Sequence, residues 1–254
     1  MAVYSYSRLD TFEKCKLKFK YRYIDKIIPE IPKNIEAHLG TIIHETLEWI
    51  YNKSMQNIIP SIDDAIIFYS EKWTEQYLPE TLIVNKYMTE RDYFDKGMRF
   101  LIDYYFKHQP FNDNTIATEK KIEIILDEKG DKRILGYIDR LVDNLETNEI
   151  EIHDYKTANT LPTREELEKN RQLALYSIAV KEELGKEKNV CLIWHYLAHN
   201  QKISIRKTAK DLEDLRKEVI DLIDKIEQTK HFPPNPSKLC DWCEYKGMCE
   251  VFKN

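Results

Sequence analysis

The hydrophobic pattern of the chain changes near Ile116, and this change limits the folds that the chain can form. Before it, apolar residues recur at helical spacing, as at Leu39, Ile43, Leu47 and Ile50 on one face of a predicted helix. After it, alternating segments are separated by short polar turns, which is the pattern of antiparallel strands. The first half is therefore predicted to be mostly helical, and the second half to contain a sheet.

The predicted elements follow one another as helices, three antiparallel strands, a helix and a further strand. Helices are predicted over Ser7–Tyr23 with Ser7 as the N-cap, Leu39–Asn57, Ile62–Tyr77, Asp92–Lys107, Arg164–Leu184 and Asp211–Lys230. Strands are predicted over Ile116–Asp127, Arg133–Val142, Glu149–Tyr155 and Asn189–Ala198, and Ile203–Lys207 is a candidate partner for the last of these. This order predicts an α/β fold in which helices pack against a mixed central sheet.

Length and composition favour one domain. The 254 residues include only 6 Gly and 9 Pro, and no linker or internal repeat divides them. We expect a helical part over residues 1–110, a sheet-containing core over 111–230 and a distinct C-terminal segment over 231–254. No apolar run is long enough to cross a bilayer. The first ten residues lack the order of a signal peptide, so a cytoplasmic location is expected.

The charge of the chain bears on its partners. A formal net charge of -5 argues weakly against a protein that binds nucleic acid by charge alone. Basic residues crowd two short stretches, Lys14 to Arg22 and Arg206 to Lys210. Each stretch by itself is interpreted as a solvated face. Acidic residues gathered around metal ions would also lower the net charge.

Two aspartates are predicted to face each other across the second hairpin. Its turn centres between Glu146 and Thr147, and Asp139 lies as far before that centre as Asp154 lies after it. Opposed carboxylates repel each other, so the pair calls for a divalent cation, and such ligands suit Mg²⁺ or Mn²⁺. Lys156 shares the face of Asp154 because strand side chains alternate. A metal-activated water beside an ammonium suits phosphodiester hydrolysis, although Asp-x-Lys alone also fits an ordinary surface hairpin.

Four short motifs, in this order along the chain, resemble those of the RecB-like branch of PD-(D/E)xK nucleases. They are Leu39–His44 with its Gly-x-x-x-His spacing, Gly136–Arg140, Ile152–Thr157, and Gln172–Tyr176 with its Gln-x-x-x-Tyr spacing. Each motif is weak singly, and together they cover most of the chain. The resemblance implies a restriction-endonuclease-like core and a metal-dependent nuclease. It also implies a set of metal ligands: His44, Asp139, Asp154 and the backbone carbonyl of Tyr155.

The same resemblance implies supporting roles. Lys156 would orient the attacking water or steady the phosphate. Gln172 and Tyr176 lie one helical turn apart, hence on one face, and would brace the site or touch DNA. Glu119 matches the acidic residue that the family carries on its first strand. A lone histidine such as His44 is more often an ordinary core or surface residue, and Gly40, one turn earlier, predicts a close approach beside it.

The cysteines indicate a second metal centre. In a reducing compartment, the five cysteines are more often ligands or buried thiols than disulfides. Three of them form a Cys-x2-Cys-x5-Cys pattern and lack a local fourth ligand: Cys240, Cys243 and Cys249. The stretch from Tyr4 to Cys15 resembles the N-terminal segment of iron–sulfur nucleases of the CRISPR-adaptation and AddB types, which implies a [4Fe–4S] cluster completed by Cys15. Zinc also suits four thiolates, and the spacing leaves both open. Cys191 is predicted to be a buried strand thiol.

The resemblance implies a metal-dependent DNA exonuclease acting on single-stranded DNA or on DNA ends. The expected setting is CRISPR adaptation, recombination, repair or phage replication, with proteins of those pathways as candidate partners. The chain has no Gly-rich phosphate loop of the helicase type, so any unwinding would need a partner or frayed ends. Two alternatives stay open: a DNA-binding or scaffolding subunit with a vestigial nuclease site, and a zinc-stabilised RNA-processing nuclease. The intact candidate site argues against the first of them.

Overall fold

The computed structural model describes residues 3–29, 31, 33–185 and 187–252, and within them six strands form one mixed sheet. The predicted single domain also includes residues 1, 2, 30, 32, 186, 253 and 254, which lie outside this description. The strands are β1 (Val3–Tyr4), β2 (Thr115–Ile125), β3 (Arg133–Asn144), β4 (Glu149–Lys156), β5 (Asn189–Tyr196) and β6 (Gln201–Arg206). Their order is β1-β3-β4-β5-β6, with β2 also paired to β3.

Helices cover both faces of this sheet, which confirms the predicted α/β fold. They are α1 (Tyr6–Lys14), α2 (Lys16–Phe19), α3 (Ile35–Ser54), α4 (Ile62–Gln76), α5 (Glu90–His108), α6 (Arg164–Glu168), α7 (Gln172–Leu184) and α8 (Ala209–Gln228). One apolar core joins α3, α4 and α5 to one face of the sheet. A second core joins α1, α7 and α8 to the other face. Among the described residues, no helix has both the length and the apolar character that a membrane span requires.

Hydroxyl residues fix where several helices begin. Ser61 caps α4, Thr89 caps α5 and Thr208 caps α8, each in a capping box in which an aspartate three residues later bonds back to the cap. The predicted starts at Asp92 and Asp211 were therefore late, because those aspartates are the third residue of the first turn rather than its beginning.

The predicted helix over Ser7–Tyr23 is interrupted, and its cap is a different serine. Ser5 caps α1 by accepting a hydrogen bond from the backbone N–H of Arg8 at 3.2 Å. The chain then becomes extended at Cys15, with φ -159°, before α2 and a π-helical turn over Lys20–Ile24. Cys15 therefore lies at a break between two helices instead of inside one.

The predicted helix over Arg164–Leu184 is also two helices. Thr163 and Glu166 form a capping box that starts the short α6, which ends before Lys169. The side chain of Asn170 then accepts a hydrogen bond from the backbone N–H of Gln172 at 3.0 Å, where α7 begins. Gln172 therefore lies at the N-terminus of α7.

Besides its pairing with β2, strand β3 meets two different strands along its length. Residues Arg140 to Asn144 pair with β4, whereas Arg133 and Ile134 pair with β1. Strand β4 continues to Lys156 in a parallel ladder with β5, so β3 and β4 part beyond the Arg140–His153 pair. We call this divergence the β3/β4 fork.

The backbone is irregular at the fork. Ile138 and Leu141 belong to the same apolar core although they are three residues apart, so the side-chain alternation of β3 breaks between them. On the neighbouring β2, Glu119 has a φ of +42°, in the left-handed region that a glutamate rarely adopts. Strained backbone of this kind concentrates at functional sites.

Close packing of α5 gives a test of the fold. A Cβ on Gly97 would lie 2.5 Å from Leu39 Cδ1 and would overlap the buried hydroxyl of Tyr69. We expect Gly97→Ala to lower the free energy of unfolding by about 1–3 kcal/mol through overpacking. The matched control is Gly40→Ala in α3, whose Cβ would meet Thr157 Oγ1 at an ordinary 3.6 Å. That variant should gain about 0.5–1 kcal/mol from helix propensity. Urea denaturation measures the free energy of unfolding of both variants. Equal changes in the two variants would contradict the packing described.

Candidate functional site

The two predicted aspartates lie at the β3/β4 fork. The ladder between the strands ends at the Arg140–His153 pair, and this register is the one expected from the turn at Glu146 and Thr147. Asp139 and Asp154 are the next residues on their strands. In place of a further backbone bond, the carboxylate Oδ2 of Asp139 accepts a hydrogen bond from the backbone N–H of Tyr155 at 2.9 Å.

Helix α3 brings His44 over this fork. Its Nε2 lies 2.9 Å from the carbonyl oxygen of Tyr155, and its Nδ1 lies 3.4 Å from Asp139 Oδ2. Glu119 joins them from β2, and one ligand atom from each of His44, Glu119 and Asp139 lies within 4.8 Å of the others. These nitrogen and carboxylate donors match the ligands that Mn²⁺ accepts, and the carboxylates also suit Mg²⁺. The set therefore fits a divalent cation.

The carboxylates at the fork are held at an electrostatic cost. The pKa of Asp139 is raised to about 6, chiefly by burial and also by the charge of Asp154, against the lowering effects of His44, the Tyr155 N–H and Lys156. Burial also raises the pKa of Glu119 to about 7, and Asp139 adds to this effect. Carboxylates that repel each other in a poorly solvated place favour an added cation. The electrostatics therefore agree with the donor chemistry.

Lys156 occupies the same side of β4 as Asp154. Its Nζ lies 2.6 Å from Asp154 Oδ2 and donates a hydrogen bond of 3.2 Å to Gln172 Oε1. Burial lowers the pKa of Lys156, but the charges of Asp154 and Asp139 outweigh it, so the pKa is raised and the side chain stays an ammonium. A cation is thus fixed between the carboxylates and the start of α7.

Tyr176 packs against the middle of β3, one turn after Gln172. A Cβ at Gly136 would lie 2.8 Å from the Tyr176 ring carbon Cζ, so only glycine allows this contact. Burial raises the pKa of the Tyr176 phenol, and Asp154 and Asp139 raise it further, while a hydrogen bond with Gln172 lowers it. Gln172 therefore contacts the Lys156 ammonium, and Tyr176 lies near Asp154 and Asp139.

Some residues around the site were not expected from the sequence. Tyr196, paired with Lys156 across β4 and β5, and Tyr6 at the start of α1 both lie near the Lys156 ammonium. Glu48, one turn after His44, lies close enough to Glu119 to raise its pKa. The spacing of His44 and Glu48 could have indicated a shared helix face. Nothing in the sequence indicates the two tyrosines, because tertiary contacts bring them there.

Two other expectations are changed by the structure. Gly40 does not provide a close approach, because a Cβ there would make only an ordinary contact with Thr157. The basic stretch from Lys14 to Arg22 is largely paired with acids, as in Lys14–Asp10 at 2.8 Å and Lys18–Glu244 at 2.7 Å. Likewise, Arg206 forms two hydrogen bonds of 2.6 Å with Glu149. These pairs agree with the interpretation of both stretches as solvated faces.

Four of the five cysteines line one cavity where the two ends of the chain meet. They are Cys15, Cys240, Cys243 and Cys249. The backbone N–H of Ser237 donates to Cys240 Sγ at 3.3 Å, and burial raises the pKa of the Cys243 thiol. Within the described part of the chain, no three of these sulfurs come within 4.8 Å of one another. Cys191 is buried in β5, as expected.

The chain ends are also joined by contacts that involve no cysteine. The backbone N–H of Leu17 bonds to the carbonyl of Pro233, and Tyr245 donates to the carbonyl of Ile27 at 3.1 Å. Together with the Lys18–Glu244 ion pair, these contacts hold the C-terminal segment against the N-terminal helices. The cysteine cavity is therefore built by both ends of the chain.

Comparisons with known proteins identify the superfamily of the chain. The family model described as the PD-(D/E)XK nuclease superfamily matches residues 3–250, so the chain belongs to this superfamily, a class of metal-dependent nucleases. A comparison with curated proteins gave no match. Among solved structures, the one described as "Crystal structure of SSO0001" aligns at 14% identity with a TM-score of 0.39, covering 85% of this chain and 98% of that chain. This level of likeness supports no conclusion about function.

The raised pKa of Glu119 gives a test of the site that needs no activity. A carboxyl whose pKa is higher in the folded state makes the fold less stable as pH rises from the unfolded value towards 7. In EDTA at pH 8, Glu119→Gln should therefore raise the midpoint of thermal unfolding by about 2–4 °C, the shift that 1 kcal/mol gives in a chain of this size. Near pH 4 the two midpoints should converge. A gain that is the same at both pH values would contradict the assignment.

Proposed function

We propose that this protein is an iron–sulfur DNA exonuclease of the RecB-like branch, cleaving single-stranded DNA or DNA ends with Mg²⁺ or Mn²⁺. The observation that carries the proposal is the convergence of His44, Glu119 and Asp139 at the fork, beside the Lys156–Asp154 pair. The superfamily is that of metal-dependent nucleases. The assignment to the RecB-like branch and to DNA exonucleases rests on the order and spacing of the four motifs.

Each residue of the site has a role in this proposal. Asp139, Asp154, His44 and the carbonyl of Tyr155 would hold the cation, with Glu119 on its β2 side. A bound divalent cation supplies an acidified water and neutralises charge on the phosphate. Lys156 would steady the phosphate oxygens with its ammonium, which Gln172 orients through the hydrogen bond of 3.2 Å. Tyr176 braces the strand beneath them.

The cleavage test compares two ion pairs of the same length in one chain. Lys156–Asp154 lies at the fork, and Lys132–Asp224, also 2.6 Å apart, lies on the surface between the β2–β3 turn and α8. Lys156→Ala and Asp154→Ala should lower the rate of cleavage of end-labelled DNA in Mn²⁺ by roughly 100-fold or more. Lys132→Ala and Asp224→Ala should retain the cleavage rate of the unaltered protein.

The substrates in this test decide between the open alternatives. Single-stranded DNA, duplex DNA and RNA of one sequence are offered separately, with Mn²⁺, with Mg²⁺ and with EDTA. Progressive shortening of single-stranded or end-frayed DNA supports the exonuclease proposal. Binding of DNA without cleavage in any metal would favour a scaffolding subunit with a vestigial site. Cleavage of RNA alone would favour the RNA-processing alternative, and full activity of Lys156→Ala would overturn the catalytic assignment.

The cysteine cavity is proposed to hold a [4Fe–4S] cluster. Cys15, Cys240, Cys243 and Cys249 line it, and four thiolates are the usual ligands of such a cluster. Four thiolates also suit zinc. The cluster is proposed over zinc because the stretch from Tyr4 to Cys15 resembles the N-terminal segment of iron–sulfur nucleases. The proposed cluster would hold α1 and the C-terminal segment together and add to the folding free energy.

Metal analysis of two cysteine variants tests the cluster. Protein purified without oxygen should be brown and should contain about four iron and four sulfide ions per chain. Cys15→Ala should lose the colour and the iron and become less stable, because one thiolate and one tie between the chain ends are removed. The matched control, Cys191→Ala, removes the buried thiol of β5 and should keep both the colour and the iron. Colourless protein that contains zinc would refute the cluster and leave a four-thiolate zinc site.

The proposal extends to the setting in which the protein works. Thiolate-bound clusters and reduced Cys191 fit a cytoplasmic location. The expected partners are DNA and, through the resemblance of the motifs, proteins of recombination or CRISPR adaptation. Ion pairing of the two basic stretches leaves the Lys156 side of the sheet as the face where a nucleic acid would be bound for cleavage.

A further inference from the structure

A buried arginine lies beside the candidate site. Arg140 follows Asp139 on β3, and only 1% of its surface is exposed. It contacts His153 and Tyr155 of β4, and the ring of Tyr51 on α3 lies over its guanidinium, so the group is on the side of the sheet that packs against α3. The mechanism proposed above gives this guanidinium no role.

Arg140 binds the two residues that flank Asp154. Its Nε donates to the Tyr155 hydroxyl at 2.9 Å, and its Nη2 donates to His153 Nδ1 at 2.8 Å. Because an arginine only donates, His153 Nδ1 is an acceptor, which leaves its Nε2–H to bond Glu151 at 3.0 Å. Burial lowers the pKa of His153, in agreement with a neutral ring. One planar group therefore fixes the residues on both sides of Asp154.

The charge of Arg140 is itself compensated. Its Nη1 forms an ion pair with Asp113 and donates to Thr115 Oγ1 at 3.2 Å. The Tyr51 ring lies 4.0 Å from the guanidinium carbon, a cation–π contact. A buried cation with all its nitrogens occupied is held in one orientation, since any shift would leave a donor unpaired.

The position of the Arg140 guanidinium matters because the β3–β4 ladder ends at Arg140. Arg140 and His153 are its last pair, and beyond them β3 reaches Tyr155 through two side-chain bonds. Asp139 accepts from the Tyr155 N–H at 2.9 Å, and Arg140 donates to the Tyr155 hydroxyl. The carbonyl of Tyr155, which faces His44, is thus oriented partly through its own side chain.

We infer that Arg140 is a positioning residue for the metal site, which it serves by anchoring Tyr155 and His153 on the α3 side of the sheet. This inference rests on the proposed function, because it concerns the cation that Asp139, Asp154 and the Tyr155 carbonyl would hold. Partners that orient metal ligands typically affect metal affinity about 10–100-fold when removed. Tyr155→Phe removes the anchored hydroxyl and keeps the carbonyl.

Calorimetric Mn²⁺ titration of two tyrosine variants tests the inference. Tyr155→Phe should weaken Mn²⁺ binding about tenfold. The matched control is Tyr51→Phe, which loses an equally buried hydroxyl of the same cluster, bonded to Tyr104 at 2.8 Å, and keeps its ring over Arg140. Its Mn²⁺ affinity should stay within about twofold of the unaltered protein. A purely structural role for the cluster would lower the thermal midpoints of both variants and leave both affinities unchanged.

A third variant covers the case in which Tyr155→Phe does not fold. Asp113 is 37% exposed, so Asp113→Asn leaves the core intact while it weakens the anchor of Arg140. It should bind Mn²⁺ several-fold more weakly and should show a smaller rise of the thermal midpoint with added Mn²⁺. Affinity equal to that of the unaltered protein in every folded variant of Tyr155 and Asp113 would overturn the positioning role alone. No Mn²⁺ binding by the unaltered protein would overturn the proposed metal site as well.

Discussion

The structure depends on one conflict, between two carboxylates that repel each other and the strands that bring them together. Backbone pairing carries β3 and β4 side by side up to Arg140 and His153, and then the strands part. Asp139 and Asp154 come next, where the β3–β4 ladder has ended and burial limits solvation. The raised pKa of Asp139 expresses this conflict, which an added cation would resolve. His44 from α3 and Glu119 from β2 are directed to the same place, so helix α3 and the sheet meet there.

The second organising feature is the junction of the chain ends. Cys15 lies at the break between α1 and α2, and the C-terminal segment folds back so that its three cysteines line the same cavity. The aromatic rings of Phe19 and Phe232 stack beside this junction, 6.3 Å apart. Since α1 also packs against β3 and α8, a group bound by the cysteines would stabilise the face of the sheet that carries Lys156. The two centres would then be coupled through helix packing.

Much of the fold followed from local pattern, and the exceptions have physical causes. The hairpin register was predicted because turn length fixes strand pairing, but Asp139 and Asp154 do not form the expected pair, because the ladder ends at Arg140 and His153. The breaks at Cys15 and Asn170 were missed because hydrophobic periodicity continues through them, while caps and tertiary contacts end the helices. The role inferred for Arg140 had no local signal: an arginine in a strand is ordinarily exposed, and only the fold surrounds it with His153, Tyr155 and Asp113.

Anomalous diffraction from crystals grown with Mn²⁺ tests most directly whether the β3/β4 fork holds a divalent cation. We expect an anomalous peak bonded to Asp139, Asp154, His44 and the Tyr155 carbonyl, and loss of that peak when EDTA replaces the metal. Ordered crystals in which manganese binds at other acidic residues and the fork contains none would contradict this expectation.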